Sequence, residues 1–297
     1  MKSIYLFAIV LSGMLAACGG NPSSEDHNES DSTAQSSATT ETQVEAQMPQ
    51  VDNAGVLGYY VGKFKAEVFK KDKEPSYSNK INISIDSIVG DALYGHSVVA
   101  GNLRPFSGKV SKGNGYLVVD ATEPGDDKYD GRFRFTITPD KNELTGRWTA
   151  NDQNLAVTER SYTLDKKNFT YSPDLKLPEN VAWSELVPDK SINEEFDFEM
   201  VTEDVLKVNP SNTKLESKDV ENMYKGDLEI VRNSIYARHG YSFKTRRMRY
   251  IFDKYVDWYI PRSVNVTSEL TKLELDNIEL LKRYEAHAAN YYDTYGR

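Results

Sequence analysis

Apolar positions along this chain fall into two regimes. From Leu57 to about Tyr171 they recur at every second residue and are interrupted at short intervals by turn residues, the pattern of consecutive antiparallel strands. Tyr60, Phe64, Ala66 and Val68 alternate with Lys63, Lys65 and Glu67. Ile81, Ile83 and Ile85 alternate with Asn82, Ser84 and Asp86, and Phe133, Phe135 and Ile137 with Arg132, Arg134 and Thr136. Further strands are expected at roughly 91–100, 103–110, 115–122, 143–149 and 155–164, each with one wet and one buried face. Asn114-Gly115 is a tight-hairpin dipeptide, and Pro139-Asp140-Lys141-Asn142 reads as the next turn. About eight such strands with no helix between them must close on themselves or stack as two sheets to hide their edges. Residues 55–171 are therefore expected to form an all-β domain, an antiparallel meander barrel in preference to a sandwich.

The rest of the chain reads differently. Residues 172–213 hold Pro173, Pro178, Pro188 and Pro210, acidic residues and one plausible strand from Phe196 to Lys207, which suggests a linker partly docked on a neighbour. Across 214–297 the period becomes helical: Leu228, Val231 and Ile235 recur at i, i+3 and i+7, and Gly240 is a natural stop. A second helix is expected over Thr245 to Tyr255. A third begins at Thr271-Lys272-Leu273-Glu274, a capping-box spacing, with Leu273, Ile278, Leu281 and Tyr284 facing inward. Within the barrel, Tyr60, Phe64, Tyr94, Phe133, Phe135 and Trp148 are large enough to leave a packed interior or a shallow pocket. Gly146-Arg147-Trp148 is similar to the Gly-x-Trp of lipocalins, but it lies in a late strand, so the resemblance is to lipocalin-like architecture only. Carriage of a small apolar ligand is the function such a barrel would imply.

The N-terminus adds an address. Met1-Lys2 precedes an apolar stretch from Ile4 to Ala17, too short to span a bilayer stably, and this reads as a signal peptide over 1–17. Its end, Leu15-Ala16-Ala17-Cys18, resembles a bacterial lipobox, which implies cleavage before Cys18 and a lipid on its thiol. Cys18 is the only cysteine, so the mature chain cannot form an internal disulfide. Residues 18–54, rich in Ser, Thr, Glu, Gln and Asp, lack the apolar surface to fold and read as a disordered tether reaching ~30–35 Å. Its acidic cluster, Glu25, Asp26, Glu29 and Asp31, resembles surface-export signals of some Bacteroidetes lipoproteins. The expected location is the bacterial envelope, on the outer membrane, with the periplasmic and surface-exposed sides both open. A net charge of −9 argues against nucleic acid as a partner.

The run Asp227-Leu228-Glu229-Ile230-Val231-Arg232-Asn233-Ser234-Ile235-Tyr236-Ala237-Arg238-His239-Gly240-Tyr241-Ser242-Phe243 resembles the YARHG domain family. The likeness continues through Phe252, Trp258, Tyr259, Pro261, Leu270, Thr271, Glu274, Asn277, Ile278 and Glu285. It implies a small, mainly helical, extracytoplasmic bacterial module that is often appended to other domains. It implies no known reaction. At 100° per residue, Arg232 and His239 fall beside Leu228 and Ile235 on the inward stripe, Arg238 lies on its flank and Ala237 points away. Buried charges need partners, and Asp227, Glu274, Asp276 and Glu285 are candidates.

Two readings of these residues stand side by side. In one, Arg232, Asn233, Arg238 and His239 are internal struts. In the other, Arg238, His239, Lys244, Arg246, Arg247 and Arg249, within a stretch from Arg232 to Arg249 that holds no acidic residue, form an anion site beside Tyr236, Tyr241, Phe243, Tyr250, Trp258 and Tyr259. Envelope anions such as peptidoglycan or lipopolysaccharide, or another envelope protein, are the partners the second implies. Catalysis has weaker support, with a hydrolase acting on envelope polymers as the alternative. His96, in Gly95-His96-Ser97-Val98-Val99, lacks the context of a nucleophile elbow. His287 sits near a helix end where a cation is favoured. His239 could serve acid–base work beside a carboxylate. No metal motif is present, Asp126-Asp127-Lys128-Tyr129-Asp130-Gly131 being a poor calcium loop, and no cofactor is implied beyond the lipid.

Overall fold

The computed structural model describes residues 55–75, 77–186 and 200–291, so the leader, Cys18 and the acidic tether lie outside the described residues. Eight strands follow one another as antiparallel neighbours: β1 (Gly58–Phe69), β2 (Asn79–Val89), β3 (Ala92–Val99), β4 (Asn102–Lys112), β5 (Leu117–Thr122), β6 (Gly131–Thr138), β7 (Glu143–Ala150) and β8 (Val157–Lys167). β1 also pairs with β8, and the sheet closes as a barrel. Gly115 and Asn142 take the left-handed conformation that the two expected turns require.

The inward face is built as the alternation dictates. Tyr60, Phe64, Ile81, Ile83, Ile85, Leu117, Val119, Phe133, Phe135, Ile137 and Leu164 are buried in one apolar cluster. One end is sealed where the Tyr60 hydroxyl donates to the carbonyl of buried Val56 at 2.8 Å. Two expected wall residues leave the interior. Val68 is exposed because a register shift between Ala66 and Val68 turns the strand over at that point. Tyr94 is half exposed, since β3 points Leu93, Gly95 and Ser97 inward instead. Phe106 takes the space: a Cβ on Gly95 would come within 2.6 Å of its ring.

The C-terminal part contains α1 (Ser217–Val220), α2 (Lys225–Arg238), α3 (Arg246–Tyr255) and α4 (Lys272–Tyr291). Leu228, Val231, Ile235, Phe243, Ile251, Phe252, Ile278 and Leu281 share its core. The segment read as a linker is part of that core, for Leu177, Trp183, Val201, Val205 and Leu215 are buried in the same cluster. The strand expected from Phe196 to Lys207 does not form where the chain is described; Glu203–Leu206 is a 3-10 turn, its start capped by Thr202. Residues 196–199 lie outside the described residues. Ala237, expected to point away from α2's packed stripe, is buried. This helix is covered on nearly all sides, so no face of it is free.

The helical part lies against the barrel, and this covers an outer face expected to be wet. Asn82 and Ser84, on the outward positions of β2, are buried where α3 packs on that strand. Lys80 makes the join: its N–H donates to Asp253 Oδ2 at 3.0 Å, and its ammonium to the carbonyls of Val256 at 2.8 Å and Tyr259 at 3.2 Å. Burial pulls the Lys80 ammonium down to about 8 and pushes the Asp253 carboxyl up to about 7. Gly101, at the β3–β4 turn with φ +74°, donates to Ser242 Oγ at 3.0 Å, and a Cβ there would strike the Lys244 backbone at 2.8 Å. Tyr77 and Tyr250 meet edge to face across the same seam at 5.5 Å.

Removing the Lys80 side chain takes the ammonium donor from the Tyr259 carbonyl and leaves the Val256 carbonyl, just past α3, with the Tyr259 N–H alone. Lys80→Ala is expected to lower the unfolding free energy by about 2 kcal/mol, measured by urea denaturation followed by circular dichroism.

Candidate functional site

The chain leaves β8 as a strap, residues 168–178, that runs onto the helical part, and the central motif residues grip it. Arg238, only 2% exposed, donates through Nε at 2.9 Å and Nη2 at 2.6 Å to the Leu175 carbonyl, and through Nη1 to Ser234 Oγ at 2.7 Å. Its guanidinium lies 5.7 Å from the Trp258 ring centre, and the Trp258 indole donates to the Lys176 carbonyl at 2.6 Å. His239 ends α2 and stacks on Tyr171 with ring centres 4.3 Å apart. Its Nε2 meets Glu274 Oε2 at 2.9 Å, while Tyr171 donates to Glu274 Oε1 at 3.1 Å. Gly240 follows at φ +74°, packed so closely that a Cβ would meet the Ile260 carbonyl at 2.9 Å. Arg262 donates to the His239 carbonyl and covers the Phe169 ring at 4.4 Å.

Glu274 serves two purposes. As third residue of α4 it accepts from the Thr271 N–H at 2.9 Å, while its own N–H donates to Thr271 Oγ1 at 3.2 Å, the reciprocal cap the spacing suggested. Burial alone would raise its carboxyl, but the hydrogen bonds from His239 and Thr271 outweigh this and hold it down at about 2. His239 and Glu274 are 3% and 0% exposed in their side chains. A pair so enclosed cannot deliver a proton to a polymer outside.

The structure does not gather the expected anion-binding residues into one open cleft. Arg238 and His239 are internal, and Arg247 is ion-paired with Glu229. Lys244 and Arg246 are exposed, and Arg249 donates to the Lys244 carbonyl and turns toward the mouth of the barrel. Among the other motif residues, Arg232 is bidentate on Glu285, with Nη2 to Oε2 at 3.0 Å, and Asn233 donates to the Glu229 carbonyl at 2.8 Å. Tyr236 packs on Tyr241 with centres 6.0 Å apart, and buried Tyr259 donates to the Tyr241 carbonyl at 2.7 Å. Two suggested acids hold other partners: Asp227 accepts from Thr202, and Asp276 from Lys272. His96 Nδ1 lies 2.7 Å from Asp86 Oδ2 on the barrel surface. The carboxylates of Asp127 and Asp130 are held by Arg104 rather than left for a cation. Among the described residues there is no cluster of metal-ligating side chains.

A different feature does open to solvent. A groove of about 710 Å3 follows the seam between the barrel and the helical part, with Arg238 and Trp258 on one wall and Lys63, Lys80 and Lys167 on the other. Lys254, from α3, completes the basic set, its ammonium 4.8 Å from the Tyr250 ring. Five cations line it against three carboxylates, Asp165, Asp253 and Asp257, so a protein of net charge −9 has a cationic groove here. Its lysines come from β1, β2, β8 and α3, so no local run announced them.

Glu274 also gives a pH test. Its folded-state carboxyl ionises below the unfolded one, so its stabilisation is present above about pH 4.5 and is lost as pH falls toward about 2. Glu274→Gln should cost on the order of 2 kcal/mol at pH 7. The deficit should shrink across that acidic window, which melting curves at stepped pH will show. No curated protein matches the chain. Residues 204–286, from the 3-10 turn that Thr202 caps through most of α4, match the YARHG domain family.

Proposed function

We propose that this chain is a lipid-anchored envelope protein that works by binding, and that its seam groove receives an anionic glycan-peptide polymer such as peptidoglycan. The observation that carries the reading is the contrast between the two sets of charges. Arg238 and His239 are engaged internally, while Lys63, Lys167 and Lys254 stand around an open groove with Trp258 beside them. Lysine ammoniums with a flat indole face suit carboxylates attached to sugar rings. The enclosure of His239 and Glu274 favours binding over chemistry at the motif. Lipid on Cys18 would keep the groove near the envelope, with 18–54 as the tether.

Co-sedimentation of the full-length protein with purified peptidoglycan sacculi tests the groove. The wild type is expected to pellet, and Lys63→Glu/Lys167→Glu/Lys254→Glu to bind at least ~10-fold more weakly, with salt weakening the wild type as well. A wild type that stays in the supernatant, or a folded triple variant that pellets equally, removes the proposal; binding to lipopolysaccharide micelles alone would move it to a different polymer. The anchor is tested separately by metabolic labelling with an alkyne fatty acid. Label is expected on the wild type and absent from Cys18→Ser.

A further inference from the structure

The barrel holds a second cavity, open at the end opposite Val56. It measures about 420 Å3 and is lined by Phe64, Ile81, Phe133 and Trp148 on its floor and by Arg104, Glu123, Arg160 and Arg249 toward its mouth. That volume lies in the range of small-molecule sites. It is distinct from the seam groove, with which it shares no lining residue.

The charges at the mouth are not equivalent. Arg104 is neutralised, its Nε 3.1 Å from Asp130 and its Nη2 3.3 Å from Asp127. Glu123 is saturated: its carboxylate accepts from the Gly131 N–H at 2.7 Å, the Trp148 indole at 3.1 Å and Ser97 Oγ at 3.3 Å. It holds the wall together. Arg160 is in the opposite condition. It shares the inward side of β8 with Tyr162 and Leu164, and pairs across the sheet with Trp148 on β7 and Ala66 on β1.

Among the described residues Arg160 has no carboxylate partner. One of the five N–H groups of its guanidinium reaches a protein acceptor, the Phe64 carbonyl, 3.0 Å from Nη1. The guanidinium also lies over the Phe64 ring at 5.0 Å. Burial lowers it to about 10, which still leaves it charged at neutral pH. Arg249 adds a second deficit, since its buried Nε finds no acceptor. A desolvated guanidinium without an anion is costly, and its planar fork suits a carboxylate.

The geometry points to a binding site in the barrel mouth for a small amphipathic carboxylate, its head on Arg160 and its apolar body against Phe64, Phe133 and Trp148. Arg249, contributed by the helical part, closes over the head. The floor is aromatic: Phe64 meets Trp148 at 5.9 Å, and Phe133 is backed from behind by Phe106 at 5.3 Å, so the body meets carbon there.

Isothermal titration of the full-length protein with decanoate, decanol and decylamine tests this, because the three share a chain and differ in the head. Decanoate is expected to bind at least ~10-fold more tightly than either of the others. Arg160→Gln should lose at least ~10-fold of that affinity while Arg160→Lys keeps part of it, with melting curves confirming the fold. Ala156→Trp, at an exposed loop position beside the mouth, blocks the cavity without touching the core and should abolish decanoate binding while leaving sedimentation with sacculi unchanged. Absence of decanoate binding, equal binding of the three heads, or full affinity in folded Arg160→Gln or Ala156→Trp overturns the site.

Discussion

One carboxylate holds the C-terminal part to the chain that enters it. Glu274 caps α4 through Thr271, receives His239 from the end of α2 and receives Tyr171 from the strap. Three segments distant in sequence thus converge on two oxygen atoms with no solvent access. Such a carboxylate is tolerable only because hydrogen bonds replace the water it has lost. The arrangement is cooperative: without the His239 bond the cap would still form, but the strap would lose the stacked ring that Tyr171 rests on. Arg238 and Trp258 extend this grip along the strap by holding the carbonyls of Leu175 and Lys176. The family motif is thus a clamp for a neighbouring segment.

That finding explains what was legible in the sequence. The barrel was, because period two is a local signal: Ile81, Ile83 and Ile85 point inward whatever else the chain does. The helix boundaries were legible for the same reason, the stop at Gly240 and the start at Thr271 each acting within a few residues of itself. Errors occurred where a neighbour overrides the local pattern. Asn82 and Ser84 read as wet because nothing in β2 reveals that α3 will lie on it. Ala237 read as outward because a single stripe assumes one packed face, and α2 has neighbours nearly all round. Val68 and Tyr94 fell to a bulge and to a glycine that yields its space to Phe106.

The charged residues were harder still. A cluster of six cations in sequence suggested a site, yet Arg238 and Arg247 meet partners brought from residues 175 and 229, and a charge count along the chain cannot see them. Arg160 was overlooked although its signal was present: it continues the inward stripe of Leu164 and Tyr162 at a position where an apolar residue would be routine. Glu123 likewise continues the stripe of Leu117, Val119 and Ala121. A charge in step with a buried stripe marks either a structural bond or an opening. Here Glu123 is the first and Arg160 the second.

Closure of β1 on β8 limits how the protein can be recognised. A sheet with a free edge can accept an extended peptide by adding a strand, and such binding reads the backbone with little regard for sequence. In this barrel every strand already has two neighbours, so its ladder offers no lateral place to an incoming chain. Whatever associates with the barrel does so through side chains and their shapes. Selectivity then resides in a few exchangeable positions on a scaffold that need not change when they do.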